Sequence, residues 1–231
     1  MFYRILHMIE KIELTESEME SNFNEFIELI KTRFSGERLE KLLHMYSENE
    51  LGLRAVWAPA SPVEHFHNAF MGGYVLHVYN VFKCSLGMRK LYKAMGGDLD
   101  FTDEELDMCV FHHDLGKLGD ETGPYYDMEG NVTDWARKNQ GKVFELDKKT
   151  PYMEVTDRVF YLLQKYGITI SQKEYLGLKC ADGMFGPGHD YIKQFDRHKS
   201  LRTNICAIMH FSDWMASKIE KDKWKATQDN M

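Results

Sequence analysis

Apolar side chains recur at helical spacing along most of the chain, and this pattern predicts a protein built largely of α-helices. Thr15 and Glu18 form a capping box, and the apolar residues that follow predict an amphipathic helix over residues 16–34. Since no clear run of strands is visible, we expect an all-α helical bundle. Further helices are predicted over residues 39–46, 66–94, 152–166, 171–182 and 201–221, and from Thr102 toward His113.

The segment from Gly119 to Pro151 breaks the helical pattern. It is rich in Gly, Asp, Asn, Lys and Thr, and residues 131–133 and 142–146 within it are candidates for a small β-hairpin. We interpret the segment as a loop or lid and not as a linker between domains. The chain then divides into an N-terminal helical extension packed on the core (1–50), a main domain (51–222) and a C-terminal tail (223–231).

Composition narrows the classes of function. With 231 residues, 43% of them hydrophobic, the chain has enough material for one sizeable core. A formal net charge of −7 argues against the broad basic face that binding along extended DNA or RNA requires. The four cysteines are scattered, and no segment offers the roughly 20 consecutive apolar residues of a membrane helix. We therefore expect a cytoplasmic protein that does not act at a membrane.

The candidate chemistry lies in Phe-His-His-Asp-Leu-Gly-Lys, residues 111–117. His113 and Asp114 are neighbours near a predicted helix end, where the backbone allows both side chains to turn toward one ion. His77 lies upstream on a predicted helix. Asp213 lies downstream in an apolar helix, where a carboxylate is costly to bury without a cation or hydrogen bonds. These four nitrogen and oxygen donors predict a site for a divalent metal ion.

Two other histidines compete for this role. His112 adjoins the pair, but we favour His113 because it lies next to Asp114 and the helix turn, which leaves His112 as a packed or supporting residue. His210 precedes Asp213 by three residues on the same helix face, and we interpret it as a core residue in preference to a ligand.

These residues resemble a known family. His77, the pair His113-Asp114 and Asp213 resemble the H…HD…D motif of the HD-domain metal-dependent phosphohydrolases. The segment His-Asn-Ala-Phe-Met-Gly-Gly-Tyr-Val-Leu-His, residues 67–77, is similar to the H-H-A-Y-x-G-G-L-L-x-H segment of HD-type 3′-5′ exoribonucleases and their phage and bacterial relatives. The resemblance covers roughly residues 57–220 and implies an HD-domain helical bundle.

The resemblance also implies roles for individual residues. His77, His113, Asp114 and Asp213 would bind Mn, Fe, Co, Ni, Zn or Mg. Lys117 would lie near the substrate phosphate, although an exposed lysine at a helix end is an equally good interpretation of it. His67 would line the substrate pocket.

The chain departs from relatives that hold a second metal ion. Where those relatives have histidines, this sequence has Val155 and the run Ala181-Asp182-Gly183. One ion is therefore favoured over two, and Asp182 is left to contact the substrate or a second ion.

The implied function is hydrolysis of a phosphoester by a metal-activated water, with Asp114 orienting the water and Lys117 contacting the phosphoryl group. We expect a small phosphorylated substrate, either a nucleotide or a nucleic-acid end. The first 50 residues are helical in pattern and lack a β-rich nucleic-acid-binding module, which favours nucleotides. Alternatives are an HD-type iron oxygenase, which needs a complete second set of ligands, and a non-catalytic nucleotide-binding module.

Overall fold

Most of the chain that the computed structural model describes is helical, which confirms the predicted all-α fold. The structure describes residues 8, 10, 13–64, 66–128, 130, 132–183, 188, 191 and 201–228. A π-helical turn (Glu48–Gly52) precedes the third helix, and a 3-10 turn (Leu115–Leu118) follows the fifth. The helices are α1 (Glu16–Arg33), α2 (Gly36–Met45), α3 (Leu53–Trp57), α4 (Gly73–Ala94), α5 (Asp103–His112), α6 (Asp134–Gln140), α7 (Val155–Lys165), α8 (Gln172–Lys179) and α9 (Ile205–Gln228).

Three helices begin at capping boxes that are visible in the sequence. Thr15, Thr102 and Ser171 each accept a hydrogen bond from the backbone three residues later, and the glutamate at that later position reaches back to the cap. Each box satisfies two backbone donors that the first helical turn leaves unpaired. The starts of α1, α5 and α8 therefore agree with the sequence to within about one residue.

The long fourth helix begins later than the prediction of residue 66. Gly72 has a φ of 78°, a left-handed conformation that ends the preceding loop. A Cβ on Gly73 would lie 2.1 Å from the carbonyl oxygen of Asn68, so the loop folds tightly against the first turn of α4. The two glycines therefore mark the boundary between the loop and the helix.

The segment between residues 119 and 151 contains more regular structure than expected. Strands β1 (Tyr126–Asp127) and β2 (Glu145–Leu146) pair antiparallel, with Tyr126 opposite Leu146. This confirms a small hairpin in the segment, but its first strand precedes the predicted residues 131–133. Helix α6 was not predicted, although Thr133 caps it and Gly141, with a φ of 62°, ends it.

The core joins the N-terminal helices to the later ones. Phe111 on α5 packs against three other rings. The ring centroids of Phe26 on α1 and of Phe34, just after α1, lie 6.0 Å away, and that of Phe82 on α4 lies 5.3 Å away. Helix α9 packs along α4, and α5 packs against both α4 and α8. Since α5 is held from several sides, its C-terminal end, which carries His113, has a fixed position. Helix α9 itself continues beyond residue 222 to Gln228.

The described helices include none that is both long enough and apolar enough to span a lipid bilayer.

The 3-10 turn after α5 packs closely against α7. A Cβ on Gly116 would lie 2.1 Å from the carbonyl oxygen of Val155, a distance that no side chain tolerates. The guanidinium of Arg158, which is buried, donates to the Gly116 carbonyl oxygen over 3.3 Å and to a carboxylate oxygen of Asp120 over 3.1 Å. A glycine is therefore required where the turn and the helix meet.

We predict that Gly116→Ala lowers the free energy of unfolding by about 1–3 kcal/mol, because the added methyl group pushes against backbone. Gly87→Ala is the matched control. Gly87 lies within α4 and a Cβ there meets nothing within 4 Å, so the same change should raise stability by about 0.5–1 kcal/mol. Urea denaturation of both variants checks the pair, and an unchanged Gly116→Ala protein would contradict the packing argument.

Candidate metal centre

Three helices bring four of the predicted site residues together. His77 lies on α4, Asp213 lies on α9, and His113 and Asp114 follow the last turn of α5. Asp114 has a φ of −101° and a ψ of 8°, so the helix gives way there to the 3-10 turn. Because of this change in backbone direction, the side chains of His113 and Asp114 reach the same point.

The distances between the donor atoms suit a shared metal ion. The Nε2 atom of His77 lies 3.1 Å from an oxygen of Asp213, 3.3 Å from Nε2 of His113 and 3.6 Å from an oxygen of Asp114. The Nε2 atom of His113 lies 3.6 Å from the same Asp114 oxygen and 3.7 Å from that of Asp213. Ligands placed about 2.1 Å from one ion have neighbouring donor atoms about 3.0–3.4 Å apart, so a modest contraction brings the set to ligand spacing.

His67 adds a further donor to this cluster. Ligand atoms within 4.8 Å of one another form two groups that share His77, one with His113 and Asp213 and the other with His67 and Asp114. The His67 ring lies 4.6 Å from that of His77, and its Nε2 atom is buried with no hydrogen-bond partner. These buried histidine and aspartate groups can hold a metal ion.

The other two candidate histidines have different surroundings. His112 is fully buried, places Nδ1 2.8 Å from the carbonyl oxygen of Met108, and stacks on the ring of Tyr46. Burial lowers the pKa of His112 to about 4, so it stays neutral. His210 places Nδ1 3.0 Å from the carbonyl oxygen of Ala181. Neither ring belongs to the two groups of ligand atoms found among the described residues.

The charges in the centre stabilise one another. Burial alone would lower the pKa of His77, but the carboxylates of Glu220 and Asp213 outweigh it and raise the value to about 10. Burial alone would raise the pKa of Asp114, yet the positive charge of Lys117 and the neighbouring imidazoles hold it well below its usual range. The carboxylate of Asp114 is therefore ionised and available to a cation.

Lys117 is part of the centre and not an exposed helix-terminal residue. Its Nζ atom donates to an oxygen of Asp114 and to the carbonyl oxygen of Ala60, both over 2.7 Å. Burial opposes its charge, but the carboxylate of Asp114 outweighs that cost and raises the pKa of the ammonium group. Two of its three N–H bonds are thus used by acceptors within the described part of the chain.

Asp182 lies at the edge of this cluster. Thr156 donates to its carboxylate over 3.3 Å, and the residue as a whole is exposed. Desolvation by neighbouring atoms, together with the charges of Asp114 and Asp213, raises the pKa of its carboxyl group. Asp182 is therefore near the centre but is absent from the two groups of ligand atoms among the described residues.

Sequence reasoning missed two polar residues behind His77. The carboxylate of Glu220 lies 3.0 Å from Nδ1 of His77, and the amide nitrogen of Asn80 donates to its other oxygen over 2.8 Å. Spacing gave a signal for both, because Asn80 follows His77 by three residues and Glu220 follows Asp213 by seven on the same helical faces.

Comparisons with protein-family models, with curated proteins and with solved structures found no match to this chain. The interpretation of the centre therefore depends on its own residues and geometry.

We predict that a divalent ion such as Mn²⁺ raises the melting temperature of the metal-free protein, because the ion binds the folded donors only. At a free ion concentration 100 times the dissociation constant, the free energy of unfolding rises by about 2.7 kcal/mol. Asp213→Ala should abolish the shift. Asp222→Ala, an exposed residue on the same helix, is the control and should retain it. A full shift in the Asp213→Ala protein would exclude Asp213 as a ligand.

Proposed function

We propose that this protein is a metal-dependent phosphohydrolase that uses one ion and acts on a nucleotide. The observation that carries the proposal is the meeting of His77, His113, Asp114 and Asp213, whose imidazole nitrogens lie 3.1–3.7 Å from the carboxylate oxygens, beside the largely buried ammonium group of Lys117. A bound divalent ion lowers the pKa of a water molecule and polarises a phosphoryl oxygen. The remaining tasks fall to the side chains of this chain.

Asp114 and Lys117 divide these tasks. One oxygen of Asp114 accepts from Lys117 over 2.7 Å, which leaves the other oxygen to orient the attacking water. The unused N–H of Lys117 neutralises a non-bridging oxygen of the phosphoryl group. The attacking water would release one proton to solvent as its oxygen bonds to phosphorus, the bond from phosphorus to the leaving oxygen would break, and the leaving oxygen would take up a proton from solvent.

The surroundings of Lys117 support a nucleotide as the substrate. A cavity of about 290 Å³ shares Lys117 with the centre, and its walls include the aromatic rings of Trp57, Tyr125 and Tyr126. Flat aromatic walls suit the face of a base, and stacking on them tolerates different bases. The net charge of −7 opposes binding along an extended nucleic acid. A nucleotide therefore fits better than a polymer.

We predict that Lys117→Met lowers kcat/KM by about 10²–10³-fold while the bound metal is retained. The variant loses the positive charge that faces the phosphoryl oxygen, but it keeps all four metal ligands. Lys41→Met, which removes a lysine from a surface pair with Glu37, should leave turnover unchanged. Assays with nucleoside mono- and triphosphates, cyclic dinucleotides and short RNA, each with several metals, provide the measurement. Full phosphatase activity in an Asp114→Ala protein would refute the proposal.

We predict a separate effect for the aromatic cavity. Trp57→Ala should lower kcat/KM for nucleotides about tenfold or more, because stacking of one base contributes about 1–3 kcal/mol. The same variant should hydrolyse ribose 5-phosphate as the wild type does, since that substrate has no base. Trp135→Ala, which alters an exposed tryptophan, is the control. An equal loss on both substrates would exclude a base-binding role for the cavity.

A further inference from the structure

Glu220 forms a buried contact with the imidazole of His77 on the side away from the other donors. An oxygen of Glu220 lies 3.0 Å from Nδ1 of His77, and the side chains of both residues are only 1% exposed. An ionised carboxylate accepts hydrogen bonds and cannot donate them. The Nδ1 atom therefore carries a proton, and Nε2 is the nitrogen that faces Asp213 and His113.

Asn80 holds the second oxygen of Glu220. Its amide nitrogen donates over 2.8 Å, and Asn80 is itself buried. Both oxygens of the carboxylate thus accept a hydrogen bond from α4, one from His77 and one from Asn80. A carboxylate held at two points has little freedom to rotate, so the plane of the His77 ring is fixed as well.

The sequence spacing links this arrangement to two helices. Helix α4 supplies His77 and, three residues later, Asn80, whereas α9 supplies Asp213 and, seven residues later, Glu220. Each helix therefore contributes one metal donor and one residue that supports a donor. The hydrogen bonds that Glu220 accepts from His77 and Asn80 tie α9 to α4 at the depth of the centre.

We infer that Glu220, held by Asn80, is a positioning residue that fixes the protonation and orientation of His77 so that its Nε2 atom binds the metal ion. A carboxylate behind a histidine ligand also increases the basicity of the imidazole and so its affinity for a metal ion. The inference rests on the metal centre and not on the reaction, so it holds for any activity that the centre supports.

The test begins with Glu220→Gln, which preserves shape but turns one acceptor into a donor. The negative charge of the carboxylate is lost, and the new amide presents one acceptor and one donor to His77 and Asn80. When the new amide donates to Nδ1 of His77, the proton of the ring moves to Nε2, where it blocks the metal. We expect the dissociation constant for Zn²⁺, measured by competition with a chelator, to rise about 10–100-fold.

The double variant Glu220→Gln with Asn80→Asp separates this role from simple packing. The carboxylate introduced at position 80 accepts from the new amide, whose oxygen is then free to accept from Nδ1 of His77. We expect the double variant to recover most of the lost Zn²⁺ affinity. Asp222→Asn, the same chemical change at an exposed site on α9, should leave the affinity unchanged.

Nitrogen NMR of the Zn²⁺-loaded wild-type protein provides a readout that does not depend on the variants. The His77 resonances should show a protonated Nδ1 and a metal-bound Nε2. The opposite assignment, a Glu220→Gln affinity within about twofold of wild type, or a folded double variant without recovery would each overturn the inference. If the wild-type protein binds Zn²⁺ normally but shows no phosphatase activity with any of the metals and substrates tested, that result counts against the proposed reaction alone.

Discussion

The buried carboxylate of Asp114 is the feature on which the rest of the centre depends. It lies 3.6 Å from Nε2 of both His77 and His113 and 2.7 Å from Nζ of Lys117, and it is almost inaccessible to water. A buried ionised carboxylate costs several kcal/mol unless cations and hydrogen bonds surround it. Helix α4 supplies His77, and the end of α5 with the 3-10 turn supplies His113 and Lys117, so the fold and the centre stabilise each other.

The helices and the centre differ in how far the sequence could predict them. Capping boxes at Thr15, Thr102 and Ser171 identified helix starts because a cap is a local interaction. The later start of α4 depends on how closely the chain before Gly73 approaches Asn68, which is a packing detail. Helix α6 was missed because its seven residues are too few to show a helical period, although Thr133 and Gly141 mark its ends.

The same distinction applies to the site. The residue types and order of His77, His113, Asp114 and Asp213 predict a metal site, and the structure brings the four together. Lys117 remained ambiguous in sequence, because its partners depend on where the 3-10 turn places the ammonium group. The residues that support a metal-binding side chain, such as Glu220 and Asn80 behind His77, are harder to predict than that side chain, since their roles arise from contacts between helices.

A crystal of the protein soaked in Mn²⁺ and measured near the manganese absorption edge tests the central claim most directly. We expect a single anomalous peak about 2.2 Å from Nε2 of His77 and Nε2 of His113, and at a similar distance from oxygens of Asp114 and Asp213. The absence of a peak at these residues, or a peak bound only by other side chains, would contradict it.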